Sequence, residues 1–285
     1  MTANQALNSQ IVVISWWSNC LGLECLQRLV KFTQGRGINV VQVGKSAAQK
    51  EKFSNHLPPG VSDLPYPEDA PGEHSRVIRE VCLRLLSSTE GTWFIDHDVF
   101  LEREAEPWFQ ALDTWLEQSQ VCLCLPLRPP TPAITQPAFW LSPARWPISI
   151  QSFDPIPFQA QDTSRRPDLY RNNGDLRMPV KDTLVEAREQ LAGSDRVAGF
   201  PLCPEDASSS GLPPFPTHSH LGGLFFLAGP VHPPAFDHWP PAREWSTKTV
   251  KGLAQFFESC PPEWLVIEEP VLLQRLAEFC EALHV

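Results

Sequence analysis

Two aspartates, Asp96 and Asp98, stand one residue apart at the end of the apolar run Trp93-Phe94-Ile95. These bulky residues favour a buried strand. If the backbone stays extended through Asp98, period-2 alternation points both carboxylates the same way. Held side by side they repel, by about 4 kcal/mol for unit charges ~4 Å apart at an effective dielectric of roughly 20. A divalent cation that prefers oxygen ligands, Mn²⁺ or Mg²⁺, turns that repulsion into attraction. The pair therefore predicts a metal site at the carboxyl edge of a strand, where open α/β sheets bind ligands. The plainer alternative is that both acids solubilise a strand end or cap the following turn.

A second group is Thr217-His218-Ser219-His220-Leu221-Gly222-Gly223. Glycines just before a strand let backbone approach a ligand closely, and His-x-His spacing also suits zinc. The pair Trp16-Trp17 offers aromatic faces that can stack on a base, or simply pack into the core. Acids stand at two expected helix starts, Asp182 and Glu268-Glu269, where the helix dipole alone would favour them.

The elements that must position these groups alternate. A strand over 11–15 leads through a polar turn at Ser18 and Asn19 into a helix over 21–34, which Gly35 and Gly37 terminate. A strand over 38–43 follows, giving a βαβ unit and hence a parallel sheet. Residues 54–72 read as a surface loop. Residues 74–88 carry an amphipathic stripe of Ile78, Val81, Cys82, Leu85 and Leu86. A helix around Trp108–Leu116 and a strand over 121–125 complete a regular half. Beyond it, a helix is expected over 179–191, strands over 197–202 and 224–227, and helices over 247–259 and 269–283.

The chain has 285 residues, 42% hydrophobic and 20% charged, which describes a globular protein. A formal charge of −10 argues against broad nucleic-acid binding, which needs a basic face. The eight cysteines include no CxxC pair and several sit in apolar runs, so they read as structural thiols. The N-terminus lacks the features of a secretory signal, and no apolar run reaches the ~20 residues of a spanning helix. A cytoplasmic protein with no transmembrane segment is expected. Thirty prolines, concentrated in 126–157, 201–216 and 230–241, predict irregular extended connections there. There is no P-loop, no GxGxxG after a strand, no GxSxG and no HExxH.

A βαβ start, then a helix running into Trp93-Phe94-Ile95-Asp96-His97-Asp98-Val99, resembles the GT-A-fold glycosyltransferases over roughly the first 125 residues. The resemblance implies an α/β fold with a mostly parallel central sheet flanked by helices. It implies one domain over 1–285, with a Rossmann-like nucleotide-sugar-binding half (1–125) and an irregular, proline-rich acceptor-side half (126–285). It further implies a nucleotide-diphosphate sugar donor, an unidentified saccharide, small-molecule or protein acceptor, and Mn²⁺ or Mg²⁺ as cofactor. By that pattern Asp98 is the main metal ligand, Asp96 its partner toward metal and ribose, and His220 a late third ligand, ahead of His218, His232 and His238. Trp16, Trp17, Ser18 and Asn19 would lie against the nucleotide, Gly222 and Gly223 would shape the sugar pocket, and Asp182, Glu268 or Glu269 would serve as general base. Arg165, Arg166, Arg171 and Lys181 could clamp phosphates, although solvated loop charge explains them better. The rival functions are a metal-dependent hydrolase using the Asp/His cluster and a non-catalytic binding scaffold of the same fold.

Overall fold

The computed structural model describes residues 9–66, 74–82, 91–127, 137–146, 170–173, 176–179, 191, 193–204, 212–221 and 240–285. In chain order, β1 is Gln10–Trp16, α1 Asn19–Phe32, β2 Ile38–Val43, α2 Ala47–Ser54, β3 Val61–Leu64, α3 His74–Glu80, β4 Thr92–Asp96 and β5 Val99–Leu101. Then come α4 Glu106–Glu117, β6 Leu123–Pro126, β7 Ala138–Leu141, β8 Tyr170–Asn173, β9 Leu176–Pro179, β10 Val197–Phe200 and β11 His218–His220. Three helices follow: α5 Pro240–Ser259, α6 Pro262–Leu265 and α7 Pro270–Leu283.

Among the described residues, seven strands form one sheet in the order β10-β6-β7-β4-β1-β2-β3. Its neighbours are parallel except at β7, which runs against both β4 and β6. The protein is thus an α/β fold on a mostly parallel mixed sheet flanked by helices. Strands β1 and β4 are apolar on both faces, as interior strands covered by helices must be. On one face Trp93 meets Trp108, Phe109 and Phe200 with ring centroids 5.1, 5.5 and 5.8 Å away. Its neighbour in sequence, Phe94, stacks on Phe139 at 4.8 Å. The Arg36 guanidinium is buried behind this core, donating to Glu106 Oε1 and Oε2, Asp113 Oδ2 and the Ser9 carbonyl.

Several expectations need correction. The 126–157 stretch is not wholly irregular, because Ala138-Phe139-Trp140-Leu141 contains no proline and forms an interior strand. The 54–72 loop contains β3, a short edge strand whose Asp63 accepts a hydrogen bond from Gln42 on β2. The helix expected over 247–259 begins already at Pro240, since proline is well suited to a first helical turn. The helix expected over 179–191 falls outside the described residues, apart from Pro179, which ends β9, and Leu191. The strand over 224–227 falls outside them entirely. No helix among the described residues is long and apolar enough to cross a membrane.

Candidate metal centre

Strands β1 and β4 run parallel with Ile14 beside Asp96, so their carboxyl ends reach the same edge of the sheet. The chain does not stay extended through Asp98. Strand β4 stops at Asp96, His97 and Asp98 form a turn, and β5 leaves at Val99. The two acids therefore converge by a change of direction rather than by strand alternation. The turn is needed because β5 pairs with β11 in a separate antiparallel ribbon, with Val99 opposite His220. Backbone bonds close both ends of that ribbon, from Leu221 N to Asp98 O (3.2 Å) and from Glu102 N to Thr217 O (3.0 Å).

The ribbon sets His220 Nε2 3.3 Å from Asp98 Oδ1 and 3.9 Å from Asp96 Oδ2. One ligand atom from each of Asp96, Asp98 and His220 lies within 4.8 Å of the others. Burial alone would raise the Asp98 carboxyl, but the charge and hydrogen bond of His220, with His97 behind it, outweigh burial and hold the carboxyl well below its ordinary range. Asp98 is buried while Asp96 and His220 are half-buried, so the cluster opens toward solvent on one side. His218 is turned to other partners, with Nδ1 2.9 Å from Pro216 O and its ring edge-on to Phe215.

Helix α1 braces the turn. Cys25 Sγ donates to Asp96 O at 3.6 Å, and Arg28 donates to Leu101 O at 3.2 Å while lying over the Phe100 ring. The residues following β1 continue the same edge. Trp16 is buried and meets Trp17 at 5.5 Å and 46°. Trp17 takes a left-handed backbone, φ 36°, and its indole fills the space beside Gly44, where a Cβ would sit 2.5 Å from Nε1. A non-glycine residue held in that conformation beside a candidate site is strained.

Ser18 and Asn19 are fully buried, and their hydrogen-bond donors serve the fold. Ser18 caps α1, accepting from Leu21 N and donating to Glu268 Oε2 at 2.6 Å. The Glu268 carboxylate also accepts from Asn19 N and Cys20 N, both at 3.0 Å, and from Glu269 N at 2.9 Å. An anion at a helix N-terminus satisfies orphan N–H groups and the helix dipole together. Glu268 is therefore saturated by α1 and lies 5% exposed. Glu269 is half-buried, and its side chain does not cap α7. Asn19 Nδ2 donates to Ile267 O at 2.6 Å.

One buried charge had no signal in the sequence. Lys45, just past β2, donates to Ser15 Oγ at 2.8 Å and lies 3.9 Å from the Phe53 ring centroid. Burial pulls its ammonium down to about 7, against the attraction of Glu268. Asp182, Gly222, Gly223, Arg165, Arg166, Lys181, His232 and His238 lie outside the described residues, and Arg171 falls within β8.

No protein-family model matches the chain, and no curated protein matches its sequence. Solved structures do resemble it. One is a protein of Desulfovibrio desulfuricans G20 assigned as a nucleotide-diphospho-sugar transferase, at 10% identity and TM-score 0.43, over 68% of this chain and 80% of that one. Another is the glycosyltransferase GlyE of Streptococcus pneumoniae TIGR4, at 7% identity and TM-score 0.43, over 71% of this chain but 47% of GlyE, so the chain spans about half of that protein. A third is the galactosyltransferase LgtC, solved with donor and acceptor sugar analogues, at 14% identity and TM-score 0.42, over 90% of this chain and 99% of that one.

Proposed function

We propose that the chain is a metal-dependent glycosyltransferase that moves a sugar from a nucleotide-diphosphate donor to an acceptor hydroxyl. The observation that carries the reading is the convergence of Asp96, Asp98 and His220 at the carboxyl edge of a parallel sheet. Two carboxylates and one imidazole make an oxygen-rich donor set that fits Mn²⁺ or Mg²⁺ better than a thiophilic ion. When bound there, the cation would act as a Lewis acid toward the charge that grows on a departing diphosphate.

The chain's own residues would do the rest. Asp98, whose carboxyl is held well below its ordinary range, and Asp96 would offer carboxylate oxygens to the cation. Trp17, just past the end of β1 and half-buried, would offer an aromatic face for the base, with Trp16, the last residue of β1, packed against it beside the acid-bearing strand. General base duty, in this reading, falls to Glu269 or Asp182 rather than Glu268, whose oxygens are taken up by α1.

Thermal denaturation with UDP-, GDP- and dTDP-sugars, each with and without Mn²⁺, tests the proposal through ligand linkage. The expected result is a stabilisation that needs sugar nucleotide and metal together, and whose metal-dependent part disappears in Asp98→Ala. A shift with metal alone would favour a hydrolase, and no shift at all a non-catalytic scaffold; either outcome rejects the transferase.

A further inference from the structure

The ligands that meet Asp96 from beyond β4 depend on a very small element. Strands β5 and β11 form an antiparallel ribbon of three residues each, with Phe100 opposite Ser219 at its centre. A two-stranded ribbon is marginal in water by itself, so its neighbours must hold it. Helix α1 does so through Arg28, which donates to Leu101 O. Helix α5 does so through Gly252 and Phe256, four residues apart and hence on one face. The Phe256 ring stacks on Phe100 at 5.4 Å and 25°, and Phe100 is 4% exposed. Arg28 Cζ lies 5.5 Å from the centroid of that same ring, so Phe100 joins the two helices. A Cβ on Gly252 would stand 3.3 Å from Leu221 Cδ2, closer than side chains ordinarily pack, so the glycine leaves that leucine its room. Leu221 directly follows His220, and its N–H donates to Asp98 O at 3.2 Å.

We propose that Phe256 and Gly252 of α5 are positioning residues for the metal centre, holding the β5–β11 ribbon where Asp98 and His220 can share one cation with Asp96. This role rests on the reading of Asp96, Asp98 and His220 as a metal site, and adds to it a support from the C-terminal helices. Both residues act through the ribbon, Phe256 by way of Phe100, two residues past Asp98, and Gly252 by way of Leu221. Ligand distances must hold to within about 0.2 Å for a divalent ion to keep its coordination. A shift of Leu221 moves the peptide that joins it to His220 and disturbs its bond to Asp98 O. Loss of the Phe256 ring leaves space against Phe100, and β5 can shift into it. Asp96 ends β4 in the main sheet, paired with β1. Either change therefore alters the spacing between Asp96 and the other two ligands.

The test measures, on the full chain, Mn²⁺ affinity by calorimetric titration, the visible absorption of the Co²⁺-loaded protein, and the metal-free Tm. Phe256→Ala should weaken Mn²⁺ binding roughly tenfold and shift the Co²⁺ bands, while Phe256→Tyr, which keeps the ring, should stay within about twofold of the unmutated chain. Gly252→Leu should weaken binding by a similar factor without lowering the Tm, because leucine is the better helix former. Adding Leu221→Ala to Gly252→Leu should restore the affinity by giving back the room. Should Phe256→Ala fail to fold, Gly252→Leu and its compensated double variant still decide. Mn²⁺ affinity and Co²⁺ bands that Phe256→Ala and Gly252→Leu both leave unchanged, whatever happens to the Tm, overturn the inference while the metal site stands. An unmutated chain that takes up no Mn²⁺ overturns the metal site and the inference together.

Discussion

His220 lies nearer to Asp98 than to Asp96, at 3.3 Å against 3.9 Å. Removing His220 takes away a ligand and also the imidazole that sits 3.3 Å from Asp98 Oδ1. His220→Ala should therefore weaken Mn²⁺ binding by roughly tenfold or more, measured by calorimetric titration. His218→Ala should leave that affinity within about twofold, because its ring serves Pro216 and Phe215. Equal losses from the two variants would mean that the late ligand has been misplaced. The acids and His220 were legible because chemistry-bearing residues interrupt apolar or glycine-containing stretches. Their manner of meeting was not, since strand alternation says nothing of where a chain turns. Lys45 was illegible for a different reason. A lysine after a strand-ending glycine usually reaches water, and only the packing of Phe53 and Ser15 around it makes it a buried cation.

At the scale of elements, α1 depends on an acid from a distant helix start. The sequence places Glu268 before Pro270, where it reads as an acid for its own helix, yet its carboxylate serves Ser18, Asn19 and Cys20 instead. Helix-start rules are local, and nothing local reveals a cap delivered from elsewhere. Glu268→Ala should cost roughly 3 kcal/mol in urea unfolding, because it strands several buried donors at once. A loss below about 0.5 kcal/mol would show that water takes over the carboxylate's role. The regular alternation of β1, α1, β2, β4 and α4 was readable from periodicity. Strands β3 and β7 were not, being four residues each and set among turn-forming or proline-rich neighbours that mask so short a pattern.

For the molecule as a whole, stability should depend on buried groups that titrate abnormally. The folded Lys45 ammonium loses its proton at about 7 and the unfolded one near 10.5. Between those values the unfolded chain binds the extra proton, so raising the pH favours folding by up to about 1.4 kcal/mol per unit. Burial acts oppositely on thiols, lifting Cys25 and Cys82 and taking Cys122 to about 11 and Cys124 to about 12. Once the unfolded thiols ionise, near pH 9, each further rise destabilises the fold. Metal-free denaturation curves should therefore show maximal stability near pH 8, and Lys45→Met should remove the rising limb below it. Arg36→Met tests the core in the same assay. It leaves Asp113 and Glu106 without their buried partner and should cost about 3–5 kcal/mol. The Glu268 bond to Ser18 spans 250 positions, which bears on how the protein is made. A nascent chain emerging from the ribosome forms β1 and α1 early, yet that helix lacks its anion until the segment carrying Glu268 has been translated. The β1–α1 segment should therefore remain open to chaperones and proteases until the chain around Glu268 arrives, which makes delivery of that segment, rather than folding of the first half, the moment of commitment.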